Sequence, residues 1–148
     1  MPGQNTMDRI YLDHAATTRV RDEVAEAIAP YFTETFGNAS SVHGFGQDAK
    51  KALEESRRTV AEIIGAAPKE IYFTSGGTEA DNMALKGVMH AHRDRGKHLI
   101  TSSIEHLAVL NTARYLEEEG YEATYLPVDE QGVVDLDVLE DALREDTV

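Results

Sequence analysis

The sequence predicts an α/β fold built on a largely parallel sheet. From Glu70 onward, short β-branched and aromatic runs alternate with longer helix-periodic runs in the order β-α-β-α-β-α. Each connection between strands is long enough for a crossover helix, which parallel pairing requires. Helix punctuation falls between the runs: Gly65 and Gly120 as stops, Asp135 as a start. In such sheets ligands collect at the carboxyl ends of the strands.

Taken in order, residues 1–9 read as a polar lead-in and Ile10 to Leu12 as a short strand. Arg21 to Thr35 puts Val24, Ile28, Tyr31 and Phe32 on one helix face, with Pro30 an awkward interior residue. Phe36 to Gly46 is a loop rich in Gly, Asn and Ser. Gln47 to Ile64 is the clearest amphipathic helix, since Ala49, Leu53, Val60, Ile63 and Ile64 share a face and Gly65 ends it. Residues 70–74 read as a strand and Thr78 to His92 as a helix. His98 to Ser102 is the next strand. Ser102-Ser103-Ile104-Glu105 matches a capping box, predicting a helix that runs to Glu119 and is closed by Gly120. Tyr121 to Val128 reads as a strand, and Asp135 caps a helix through Arg144. Asp146-Thr147-Val148 has the character of an approach to another strand, so the chain reads as the front of a larger protein.

Composition narrows the function. The chain has 148 residues, enough for one modest domain. Its net charge of −13 argues against nucleic acid as a partner, because phosphate backbones need a basic surface. The acids read as solvated helix faces, with a run at Glu117-Glu118-Glu119. With no Cys, the chain has no disulfide framework, thiolate metal site or cysteine nucleophile. No apolar run approaches the ~20 residues of a membrane span, and no signal peptide opens the chain, so a cytoplasmic protein is expected. His90 and His92 stand two apart on a helix and do not face each other, so no metal site is assigned to them.

The chemistry centres on Phe73-Thr74-Ser75-Gly76-Gly77-Thr78-Glu79, where a strand-like run gives way to a helix-like one. Two glycines let the backbone approach a ligand closely. The first amides of the helix have no partners within it, which makes an anion site, and Thr78 adds a hydroxyl. The turn is neither a P-loop nor a dinucleotide fingerprint, since the Gly-Lys-Ser/Thr and G-x-G-x-x-G patterns are absent. Two readings fit it equally: a phosphate grip, or a tight strand-to-helix turn capped by Thr78. Ser75–Thr78 and Ser103–His106 both fall at carboxyl ends of expected strands, so they are expected to face one pocket.

Four ordered segments add a resemblance: Tyr11–Thr18, Phe36–Gly46, Phe73–Asn82 and Ser103–Leu110. Together the chain from Ile10 to Val148 resembles the cysteine desulfurases of the NifS/IscS type, which are class V, fold-type I pyridoxal-phosphate enzymes. The resemblance implies an incomplete three-layer αβα large domain with a mostly parallel sheet over residues 21–148. Residues 1–20 would be an arm that joins a smaller domain. It implies pyridoxal 5'-phosphate as cofactor, with Gly77 and Thr78 on its phosphate. His106, expected in the first turn of its helix, would stack on the cofactor ring and assist proton transfer. Asn38 and His43 would lie near the substrate pocket and the dimer interface. Relatives usually have Pro after this Asn, where this chain has Ala39.

The implied reaction converts L-cysteine to L-alanine and an enzyme persulfide, supplying sulfur to an iron–sulfur scaffold or another acceptor such as a tRNA-thiolation pathway. Relatives are homodimers. Their Schiff-base lysine, ring-nitrogen aspartate and nucleophilic cysteine lie beyond the equivalent of Val148. Lys50, Lys51, Lys69, Lys86 and Lys97 fall outside the family's lysine motif. These 148 residues are therefore expected to be inactive alone. Other readings are a different class V enzyme (a selenocysteine lyase or an aminotransferase), a non-catalytic binding or regulatory fragment, and, more remotely, an unrelated nucleotide-binding domain.

Overall fold

The computed structural model describes residues 10–148; the expected lead-in over 1–9 lies outside the described residues. The chain divides into two compact units, one ending at Ile71 and the other beginning at Tyr72.

The first unit is helical. Helix α1 spans Asp22–Ile28 and α2 spans Pro30–Thr33. The expected single helix is thus cut at Ala29, immediately before Pro30, whose missing N–H and ring end a helix and suit the first position of the next. Helix α3 runs Gly44–Ile64, starting three residues earlier than expected, and ends at Gly65 in the left-handed conformation (φ 70°). A 3-10 turn follows at Pro68–Glu70, and Arg57 of α3 donates to the Ile71 carbonyl beyond it.

Two expectations fail in this unit and a third where it gives way to the next. Ile10–Leu12 forms no strand. The amphipathic face of α3 is not what is buried: Gly46 and Ala61 are buried, while Ile63 and Ile64 remain 78% and 64% exposed. The strand expected over 70–74 is absent: Glu70 closes the 3-10 turn and residues 71–74 form no ladder, since the sheet of the described residues has two strands and both lie later. An isolated β-branched run is only a candidate strand; a neighbour must complete its hydrogen bonds.

The second unit has the predicted α/β character. Helix α4 (Gly77–Ala91), strand β1 (His98–Ser102), helix α5 (Leu107–Glu118), strand β2 (Glu122–Leu126) and helix α6 (Leu136–Ala142) follow in order. Strands β1 and β2 are parallel, in register from His98 opposite Glu122 to Ser102 opposite Leu126. On its other edge β1 takes up the end of the chain. The His98 amide donates to the Asp146 carbonyl at 3.1 Å and the Val148 amide donates to the His98 carbonyl at 2.9 Å. Thr147 thus forms an isolated parallel bridge with His98.

A core of Met89, Leu99, Ala113 and Leu116 sits where α4 and α5 meet the sheet, with Tyr121, Ala123 and Tyr125 against it. Burying a side chain such as Leu116 contributes about 1.5–3 kcal/mol. Asp135 caps α6 as predicted, its Oδ1 accepting from the Asp137 amide at 2.9 Å. The predicted capping box does not cap α5. Ser102 is the last residue of β1, and its hydroxyl donates to the Glu105 carboxylate at 2.9 Å instead of binding helix amides.

Candidate functional site

The glycine turn enters α4 with Gly76 as its N-cap. Gly76 is extended (φ 165°, ψ 180°) and Gly77 is not in the left-handed region, so the backbone here does not demand glycine, contrary to the argument from conformational freedom. What the glycines leave is space. A Cβ added at either would meet no atom within 4 Å. The first turn-closing bond of the helix is from the Ala80 amide to the Gly76 carbonyl. Among the described residues, no acceptor meets the amides of Gly77 and Thr78. An open approach to two free N–H groups and an exposed threonine hydroxyl suits a phosphate.

Side chains clip this turn from both sides. Glu79 Oε2 accepts from the Ser75 amide at 2.6 Å and from the Ser75 hydroxyl at 2.7 Å. The Ser75 amide first, and its hydroxyl second, hold the Glu79 carboxyl below the ordinary carboxylate range. Asn82 Nδ2 donates to the Thr78 carbonyl at 2.9 Å, and the Thr74 hydroxyl donates to the Gly76 carbonyl at 3.2 Å.

His106 is the N-cap of α5 rather than a first-turn residue. Its Nδ1 accepts from the Ala108 amide at 3.1 Å. An Nδ1 that accepts leaves Nε2 as the ring atom that carries the proton in the neutral tautomer. The correction arises because β1 keeps Ser102, so the helix starts later than the S-x-x-E pattern suggests.

The turn and the histidine meet in one groove of about 400 Å³ between α4 and α5. Thr78, Asn82 and Lys86 line one wall at four-residue spacing; His106, Asn111 and Tyr115 are on the other. Of the two segments expected to face one pocket, Thr78 and His106 are the residues that line it. Lys86, one of the lysines outside the family's lysine motif, is a wall residue of this groove. Its Nζ lies 4.2 Å from the centre of the Tyr115 ring, a cation–π contact. The four-residue spacing of Thr78, Asn82 and Lys86 was the available signal for a shared wall. Beyond it, the Tyr115 hydroxyl donates to Glu119 at 2.7 Å, which raises the phenol's pKa and lowers that of the carboxyl; His90 Nε2 is 3.0 Å from the other Glu119 oxygen.

Asn38 and His43 belong to the first unit. Asn38 Oδ1 accepts from the Ser40 amide at 2.9 Å, and its carbonyl accepts from the Ser41 amide at 2.9 Å, so the residue shapes its loop. His43 is the N-cap residue of α3 without a side-chain cap bond, its ring edge-on to Phe45. The glycines of this loop have a packing cause. A Cβ on Gly46 would lie 2.4 Å from the Ser41 carbonyl oxygen, and one on Gly37 would lie 2.0 Å from that of Phe45.

Residues 10–148 match the family model described as aminotransferase class-V. The chain is 55% identical over 139 residues to a cysteine desulfurase IscS of Methanosarcina thermophila, covering 94% of this chain and 34% of that protein. It is 51% identical over 142 residues to a putative cysteine desulfurase IscS 1 of Bacillus subtilis, covering 96% and 38% respectively. Among solved structures, a NifS-like protein superposes with a TM-score of 0.88 at 45% identity, over 94% of this chain and 38% of that one. A protein described as SspA in complex with cysteine gives 0.84 at 39% identity, over 93% and 40%. The chain spans about a third of the length of the curated relatives it matches. It has the α/β fold of these fold-type I enzymes and belongs to the class V aminotransferase family.

Proposed function

We propose that this chain supplies the phosphate grip and the ring-facing histidine of a pyridoxal-phosphate-dependent cysteine desulfurase. The observation that carries the reading is the meeting of Thr78 and His106 in one groove, with the amides of Gly77 and Thr78 left without an acceptor at the start of the same helix. Bound there, pyridoxal 5'-phosphate would supply an electron sink for chemistry on an amino-acid substrate. Gly77 and Thr78 would donate to its phosphate oxygens, with the Thr78 hydroxyl as a further donor. The Ala108 amide holds the His106 ring through Nδ1, leaving Nε2 to hold or pass a proton.

L-cysteine is the proposed substrate, with L-alanine and a persulfide as products. The names of the relatives and the cysteine-bound SspA structure support it. The same reading assigns Asn38 and His43 to the substrate side, residues 1–20 to a smaller domain, and residues 21–148 to the front of the large domain. Homodimerisation, a cytoplasmic location and an iron–sulfur scaffold or other sulfur acceptor as partner belong to it too. No helix among the described residues is long and apolar enough to cross a membrane.

The test is made on the protein captured from its native cells with an antibody to residues 10–148, assayed with and without added pyridoxal phosphate. Alanine release from L-cysteine that depends on the cofactor is the expected result. Bound cofactor with turnover of selenocysteine or keto acids, but not cysteine, would move the protein to another class V activity. Failure to retain pyridoxal phosphate would overturn the reading.

A further inference from the structure

We infer that Glu79 is a positioning residue for the phosphate turn, acting through Ser75 to hold the amides of Gly77 and Thr78 free for an anion. The inference rests on the proposed phosphate grip. No left-handed residue locks the turn, so its shape depends on side-chain bonds. Glu79 stands three residues after the N-cap, where an acidic side chain can reach back to an amide before the helix. Both of its short bonds converge on one oxygen and on one residue, Ser75. Ser75 is thereby fixed relative to the first turn of α4, and its own N–H is withdrawn from competition for an incoming phosphate. The carboxylate, which would repel a phosphate at the mouth, is engaged by two donors. Asn82 and Thr74 hold carbonyls of the same turn, but Glu79 alone among these three bonds an amide.

A helix cap of general value would have the same bonds, so the test separates stability from anion affinity. The dissociation constant for pyridoxal phosphate is measured on the protein from native cells and on the same full-length protein carrying E79A, E79Q or D135A. The last removes the cap of α6, away from the turn. E79A is expected to weaken binding about five- to tenfold. E79Q retains an acceptor oxygen and is expected to restore affinity to within about threefold. D135A is expected to leave affinity unchanged. Wild-type affinity in E79A, no rescue by E79Q, or an equal loss in D135A would each overturn the proposal.

Amide hydrogen exchange over residues 75–78 in ligand-free protein distinguishes this failure from failure of the functional reading. Faster exchange in E79A, with no cofactor bound by the unmodified protein, would sink the enzyme reading while sustaining the clamp. Unchanged exchange would sink the clamp whatever the affinity. If E79A does not fold, S75A carries the same measurements with the same expected directions.

Discussion

The two units use apolar residues differently. In the second, Met89, Leu99, Ala113 and Leu116 close a core between helices and a parallel strand pair, each at most 6% exposed. In the first, neither α1 nor α2 buries a residue, and Phe32, Phe36 and Val42 stay 76%, 64% and 89% exposed. Both have amphipathic helices. A helix face becomes a core only where a second layer covers it, and a sheet supplies that layer in one unit alone. The candidate phosphate turn opens the helix of the unit with the core, which gives its amides a rigid base.

The largest test of this contrast is a pair of truncations. Leu116→Ala should lower stability by about 2–5 kcal/mol, while Phe32→Ala should change it by no more than about 0.5 kcal/mol, read from urea unfolding midpoints. Equal effects would mean that the first unit is held by contacts as strong as the core of the second.

Next in size is the histidine that ties the sheet together. His98 is 1% exposed, with Nδ1 2.7 Å from the Thr147 hydroxyl and Nε2 2.7 Å from that of Thr124. Burial first, and the Arg144 guanidinium second, lower its pKa; Asp146 and Glu122 oppose them. The unfolded state therefore takes up the proton more readily. The stabilising contribution is fully present above the ordinary histidine value, near pH 6.5, and is lost as pH falls through the lower folded value. Thr124→Val should cost about 1–3 kcal/mol at neutral pH by stranding a ring nitrogen. His98→Asn should flatten the fall in unfolding midpoint below pH 6.5. A midpoint with the same slope in both proteins would remove His98 as the cause.

The smallest effect sharpens the site. His106→Ala should cost about 1 kcal/mol by uncapping α5, and His106→Asn should recover most of it. Thermal melts of the three proteins check this. If Asn restores stability but not cofactor-dependent alanine release, capping and chemistry are separate duties of one ring.

Much of the site was legible because its signals are local. The glycine turn before a helix, the strand His98–Ser102 and the cap at Asp135 follow from residues within a few positions of one another. The ordered segments resembling cysteine desulfurases are also properties of the chain alone. Failures came where a local signal met a nonlocal claim. The Ser102–Glu105 pattern fits a capping box, but pairing of Ser102 with Leu126 holds that serine in β1 and passes the cap to His106.

Periodicity, capping chemistry and motif order are written along the chain, and they suffice for the helix-and-strand order from α4 onward and for the family. Three features emerge only in the folded chain: residues 71–74 join no ladder, the apolar face of α3 is not the buried one, and Glu79 turns back onto Ser75. Those outcomes depend on which partner lies within hydrogen-bonding or packing distance, a choice that spacing along the chain cannot make.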